Sequence, residues 1–293
     1  MVTLGTMGMG SMVDTGMPAM RRLGGAVGSL WEPISEERLA LYLRLALAIA
    51  ILTVGFEKSL EMPGDIGTER YHLVAATLTM LAAVPLVLLE RTTRLGIVLF
   101  TAGLAVYVAV KWAGYHNHGW LTAWTIPVAA LFGMRWWDSD LYRWYLRMTL
   151  GIAMLAACAQ KLLAGTYIDG SYITYLSLHG SSTERLFGFL CCADAANGSC
   201  GWHRFLGTFI VVWQAAVGIL LIAGLRSIAF LAIEVAFLLG AGLYADEMNF
   251  QVLNIALLCI GFGYGMRPWL CAICLALLLV DTYSISAMVD HVL

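Results

Sequence analysis

Nine long apolar stretches, separated by short polar segments, set the pattern of this chain. Their approximate limits are 40–58, 72–89, 95–112, 120–134, 145–163, 205–223, 227–245, 249–265 and 269–288. A helix needs about 20 apolar residues to cross the hydrocarbon core of a bilayer. Helices and closed barrels are the only structures that satisfy their own backbone there. The pattern therefore predicts an all-α integral membrane protein with about nine transmembrane helices. The fourth stretch contains Pro127, which neighbouring helices can accommodate. Residues 1–37 precede the first stretch and read as a flexible or surface-lying leader, rich in Met and Gly. No apolar core with a small-residue cleavage site marks them as a signal peptide. Ser35 is a candidate helix N-cap, with Glu36 and Glu37 in the first turn, where acidic residues are favoured.

Composition sharpens the exclusions. Of 293 residues, 60% are hydrophobic and 12% charged, about half the charge of an ordinary soluble domain. A soluble globular enzyme is excluded. The net charge of −2 leaves no basic footprint, so no nucleic-acid partner is expected. The partner that remains is the lipid bilayer.

So few charges are easy to place. With the N-terminus in the cytoplasm, the inner ends of the spans carry eleven arginines and the outer ends six basic residues, as the positive-inside rule favours. All three lysines, Lys58, Lys111 and Lys161, fall at outer ends. Nine spans put the C-terminus outside, in what is expected to be the plasma (inner) membrane. Trp112, Trp120, Trp136, Trp137, Trp144, Trp202 and Trp269 fall at the predicted interfaces, where indoles concentrate.

The sequence also repeats. Tyr42-Leu43-Arg44, with Lys58 fourteen residues after the arginine, matches Tyr145-Leu146-Arg147 with Lys161 at a shift of 103 residues. Gly133-Met134-Arg135 with Trp137 matches Gly265-Met266-Arg267 with Trp269 at a shift of 132, as Arg94 matches Arg226. The organisation predicted is a four-helix unit at 38–137 and a second at 141–269, with an outer-loop insertion at 165–204. A C-terminal helix follows at 270–293. An even number of helices per unit makes the repeats parallel.

Ionisable groups in or beside spans are the candidate functional positions: Glu57, Lys58, Lys111, His116, His118, Lys161, Glu234 and Asp281. Each lysine has two readings, as a functional amine or as a side chain that snorkels to water. His116 and His118 are either functional or part of a solvated interfacial turn. They lack the third and fourth ligands of a metal site, so no metal is expected. Glu234 lies well inside its span. It either faces a polar cavity or bonds another helix, with Gln214 and Gln160 as candidate partners. Cys158, Cys259, Cys271 and Cys274 read as buried small apolar residues. Cys191, Cys192 and Cys200 sit in the outer loop, on the oxidising side. There Cys200 either pairs with Cys191 or Cys192, the Cys192–Cys200 bond being the one expected, or all three stay thiols.

The run from Lys111 to Leu121 contains Asn117, His118, Trp120 and Leu121. Arg147 then opens a helix that ends in Lys161-Leu162, followed by Tyr167, Gly170 and the pair Tyr175-Leu176. This order resembles the membrane domain of the vitamin K-dependent gamma-carboxylases and the related bacterial HTTM proteins, over about residues 106–180. The repeated Arg-to-Lys helix also looks like the four-helix DoxX-type membrane proteins. The resemblance implies a catalytic base at Lys161, an assisting histidine at His118 beside Asn117, and a quinone or hydroquinone cofactor. Arg147, Glu234 and Lys58 are the candidates for contact with that cofactor. The carboxylases carry a large luminal domain that grips a protein substrate, and this chain reads as membrane spans throughout. The expectation is therefore a short HTTM-type enzyme or maturation factor, acting on a lipid-soluble cofactor or a secreted peptide. The alternatives are a non-catalytic DoxX-like subunit that binds quinone or docks a redox partner protein, and a small-solute carrier.

Overall fold

A computed structural model describes residues 35–61, 68–112, 117–133, 135–179, 200–245 and 247–292, with backbone alone at 60–61, 68–69, 117, 179 and 281–292. The helices are α1 (Glu36–Glu61), α2 (Thr68–Leu88), α3 (Thr93–Val110), α4 (Asn117–Thr125), α5 (Asp140–Ala164), α6 (Ser171–His179), α7 (Gly201–Ile222), α8 (Ile228–Ala245), α9 (Met248–Phe262) and α10 (Pro268–Val292). Three short 3-10 turns, Glu90–Thr92, Pro127–Phe132 and Trp136–Asp138, connect some of them. No strand occurs among the described residues. The described residues are thus all-α, and among them six helices (α1, α2, α3, α5, α7 and α8) are long and apolar enough to cross a membrane.

Each of the nine apolar stretches coincides with helical backbone. The fourth departs most from expectation. It is a nine-residue α-helix, α4, followed by a six-residue 3-10 segment that starts at Pro127. Proline has no N–H to donate and its ring crowds the preceding turn, so the α-helix stops at Thr125. The eighth stretch forms α9, only fifteen residues long. Every residue from Gln251 to Phe262 is buried. A helix that is apolar all round belongs in a core, and α9 is that core helix.

The chain divides into two compact units, 1–38 and 39–293. In the first, the Arg38 N–H donates to Ser35 Oγ at 3.4 Å, so Ser35 caps the helix start. In the second, α2 packs closely on α3, and α5 on α7. At one end of α9, Phe250 stacks on His118 of α4 at 4.0 Å. At the other end the Arg147 guanidinium donates to the Gly261 carbonyl, and the Met266 N–H donates to Tyr42 O at 2.9 Å. Both ends are pinned by residues distant in sequence.

Burial is inverted relative to a water-soluble protein. Leu78, Val98, Ile152, Val212, Ile219 and Ile233 are each more than half exposed, while Arg44, Lys58, Arg147 and Glu234 are buried. An apolar exterior over a sparsely polar interior is what a lipid solvent selects.

Candidate functional site

Lys161 lies in the last turn of α5. Its ammonium donates to Gln214 Oε1 of α7 at 2.9 Å and sits 5.0 Å from the centre of the Tyr167 ring, a cation–π distance. Around it is a cavity of about 70 Å³ between α5, α6, α7, α8 and α9. Tyr167, Tyr172, Tyr244, Glu247 and Gln251 contribute the other polar groups of its wall. A liquid water occupies roughly 30 Å³. The space is large enough for water or one small oxygen-bearing group.

Two glycines set the wall that carries Tyr167. A Cβ at Gly207 would lie 1.9 Å from the Tyr167 carbonyl oxygen, so only glycine lets the 165–170 segment rest on α7. Gly170 has φ +79° and its Cβ would meet the Arg204 backbone nitrogen at 2.7 Å. Close approach and left-handed backbone both call for glycine here. Asp169, next to it, accepts from the Ser171 N–H at 2.8 Å. That bond holds the Asp169 carboxyl below the ordinary carboxylate range. Tyr167 and Tyr172 stack with ring centres 4.6 Å apart. Burial pushes the Tyr167 hydroxyl well above the usual phenol range. Glu247, just before α9, keeps an exposed face, and the packing on its other side raises its carboxyl above the ordinary range, against the nearby Lys161 charge. Deeper along α6 and α7, the Thr174 hydroxyl and His203 Nδ1 form a buried hydrogen bond of 2.8 Å.

His118 does not line this cavity. It belongs to a second cluster with Glu57 and Lys58. Lys58 is 1% exposed, and its ammonium donates to Glu57 Oε1 at 2.9 Å. It also lies 5.5 Å from the centre of the Tyr107 ring. The same Glu57 oxygen is 3.9 Å from His118 Nδ1. The His118 ring stacks on Phe250, and the next residue, Gln251, lines the Lys161 cavity. The two clusters thus meet the first turn of α9 at adjacent residues, Phe250 and Gln251.

The remaining expected site residues lie elsewhere. Asn117 is the first residue of α4, and its side chain is outside the described residues, as is that of Asp281. Arg147 holds the far end of α9 through Gly261. Glu234 is buried and accepts from Trp213 Nε1 at 2.8 Å. That bond to another helix comes from an indole, not from Gln214, which is taken up by Lys161, nor from the exposed Gln160. Cys200 is disulfide-bonded. Cys192, its expected partner, lies outside the described residues, as do Cys191 and His116. Cys158, Cys259, Cys271 and Cys274 are buried free thiols. Among the described residues, no group of three or more His, Cys, Asp or Glu is placed to hold a metal.

Tyr172, Tyr244, Glu247 and Gln251 were not legible as site residues. Each sits near a helix end where interfacial polar residues are common, and tertiary packing alone gathers them. Comparisons with protein-family models, curated proteins and solved structures give no match for this chain.

Proposed function

We propose that this chain is an HTTM-type membrane protein whose Lys161 site, open to the outer side, engages an oxygen of a quinone-like or hydroquinone molecule. One observation carries the reading. A lysine ammonium at a helix end faces a small cavity walled by phenols, amides and the Glu247 carboxyl, within a largely apolar bundle. An ammonium there is a natural partner for a carbonyl or hydroxyl oxygen, and the cavity's volume admits the oxygen edge of a ring. His118, across the first turn of α9, supplies a second acid–base group. Arg147 and Glu234 then hold helices together, and Lys58 belongs with His118. A secreted peptide or a redox protein is the partner on the outer side.

The wider reading is nine crossings in a plasma (inner) membrane, with the N-terminus cytoplasmic and the C-terminus outside. Two four-helix units, 38–137 and 141–269, supply eight of the crossings. The path of α4 supports this. His118 at its start meets the last turn of α1, whereas Phe132, the last residue of the 3-10 segment, packs 5.4 Å from Tyr142 in the first turn of α5. Nine α-helical and six 3-10 residues rise roughly 25 Å together, close to the thickness of a hydrocarbon core. The matched glycines Gly133 and Gly265 also share a positive φ, 81° and 65°.

The test uses the purified chain in nanodiscs, titrated with menadione, a small naphthoquinone. Trp213 neighbours Gln214, and its ring lies 5.4 Å from that of Phe237 in the cavity wall. Saturable quenching of its fluorescence is expected, lost in Trp213→Phe as a control. Lys161→Met should weaken binding at least tenfold with helix content unchanged. Unaltered binding in Lys161→Met sinks the proposal. Binding without turnover of the hydroquinone would favour the non-catalytic DoxX-like reading.

A further inference from the structure

The helices around the Lys161 cavity are joined in two different ways. α7 lies against α5 backbone to backbone. A Cβ at Gly151 would lie 2.9 Å from the Gly218 carbonyl oxygen, and one at Gly218 equally close to that of Gly151. Glycine also brings α8 close to α9, where a Cβ at Gly242 would meet the Met248 Cα at 3.2 Å. α7 and α8 follow one another in the chain, yet their backbones do not pack closely. Rings and one hydrogen bond bridge them instead. The Phe237 ring centre lies 5.4 Å from that of Trp213 and 6.3 Å from that of Phe209. Trp213 Nε1 donates to Glu234 Oε2 at 2.8 Å.

This seam lies at mid-helix. Trp213 is the thirteenth of the 22 residues of α7, and Phe237 the tenth of the 18 of α8. Where such helices cross a bilayer, lipid tails face that level. Phe209, Val212 and Ile233 turn 43%, 60% and 55% of their surface outward there. On its inner side the same seam is cavity wall, lined by Ile210, Gln214 and Phe237. Phe237 therefore reaches both the exposed Phe209 ring and the space beside Lys161.

The cavity of about 70 Å³ admits the oxygen edge of a ring, so the rest of the ring must extend past a wall. The backbone-packed walls yield only if helices move. The seam yields to side-chain rotation, which is fast for partly exposed residues.

We propose that the α7–α8 seam is a side entrance through which the ligand of the Lys161 site arrives from the bilayer. The ring of the ligand lies between Trp213 and Phe237, and an apolar substituent passes Phe209 into the lipid. The inference rests on the Lys161 reading. It adds the route, and with it a requirement: the ligand is uncharged and dissolves in the membrane. Glu234 is a positioning residue that acts through Trp213, because its bond holds the indole at one side of the entrance.

The experiment uses the full chain in nanodiscs and a photoreactive probe, menadione carrying a decyl chain that ends in a diazirine. Irradiation is expected to place cross-links beside the seam, at Phe209, Val212 or Ile233, and excess menadione is expected to remove them. Menadione-displaceable cross-links that fall on α6 or on the 165–170 segment overturn the side entrance. So does a probe that fails to bind where menadione binds. If menadione itself does not bind, the Lys161 reading falls and this inference falls with it. Glu234→Leu should lower the displaceable cross-linking about fivefold, the effect of one neutral hydrogen bond, and Glu234→Gln should restore it. Equal cross-linking by the two variants overturns the positioning role of Glu234.

Discussion

Lys58 and Lys161 end their helices in matching surroundings. Each ammonium lies 2.9 Å from one side-chain oxygen, that of Glu57 or Gln214, and 5.0–5.5 Å from the centre of one tyrosine ring. The partners differ in charge, and that difference separates the two sites.

Removing Lys58 should cost more stability than removing Lys161. Lys58→Met strands a largely buried carboxylate at Glu57, and breaking a buried pair costs about 3–5 kcal/mol. Glu57 is 14% exposed, which places the cost at the lower end of that range. Lys161→Met removes one charge-assisted bond to a neutral amide, about 1.5–3 kcal/mol. Thermal unfolding in one detergent should give the lower Tm to Lys58→Met. The reverse order would refute this account of the pair.

Gly207→Ala should distort the cavity without touching it. The added carbon overlaps the Tyr167 carbonyl, and overpacking of this kind costs about 1–3 kcal/mol. Moving Tyr167 also moves the ring against Lys161. The expected result is a lower Tm together with weaker menadione binding. Unchanged binding would mean that Tyr167 does not help form the site.

Glu234 is expected to tolerate glutamine better than leucine. Glu234→Gln keeps an acceptor for the Trp213 N–H, whereas Glu234→Leu leaves that donor unpaired, at about 1–3 kcal/mol. Tm and the Trp213 emission maximum read the difference. Equal Tm values for the two variants would show that the hydrogen bond contributes nothing.

Two carboxyls beside the cavity impose opposite pH dependences. Asp169 is held below its ordinary value by the Ser171 N–H. Its contribution is present above about pH 4, the ordinary Asp value, and is lost as pH falls through the folded value. Glu247 is raised by partial desolvation, so its contribution is full below the ordinary Glu value, about 4.3, and fades as pH rises through the folded value. Asp169→Asn should flatten the acid side of a Tm–pH profile. Glu247→Gln should flatten the side above it. Either profile unchanged from wild type would remove that residue from the account.

The helices were legible in the sequence because lipid demands long apolar runs, whereas the run containing Pro127 read as one continuous span and proved to be broken there. Lys161 and His118 stood out because charges are scarce. Their separation into two clusters did not, since nothing in local sequence says that Phe250 and Gln251 turn to different neighbours. Gly207 was equally silent. Its role depends on a carbonyl forty residues earlier in the chain, and spacing does not encode a contact of that range.

The burial of α9 bears on how the protein is made. A fifteen-residue segment surrounded by its own chain has no surface left to offer to lipid, and is short for a free-standing insert. Its place is set by packing against α5, α8 and α10. A chain synthesised only through α8 therefore lacks the partners that α9 gives to Arg147 and His118.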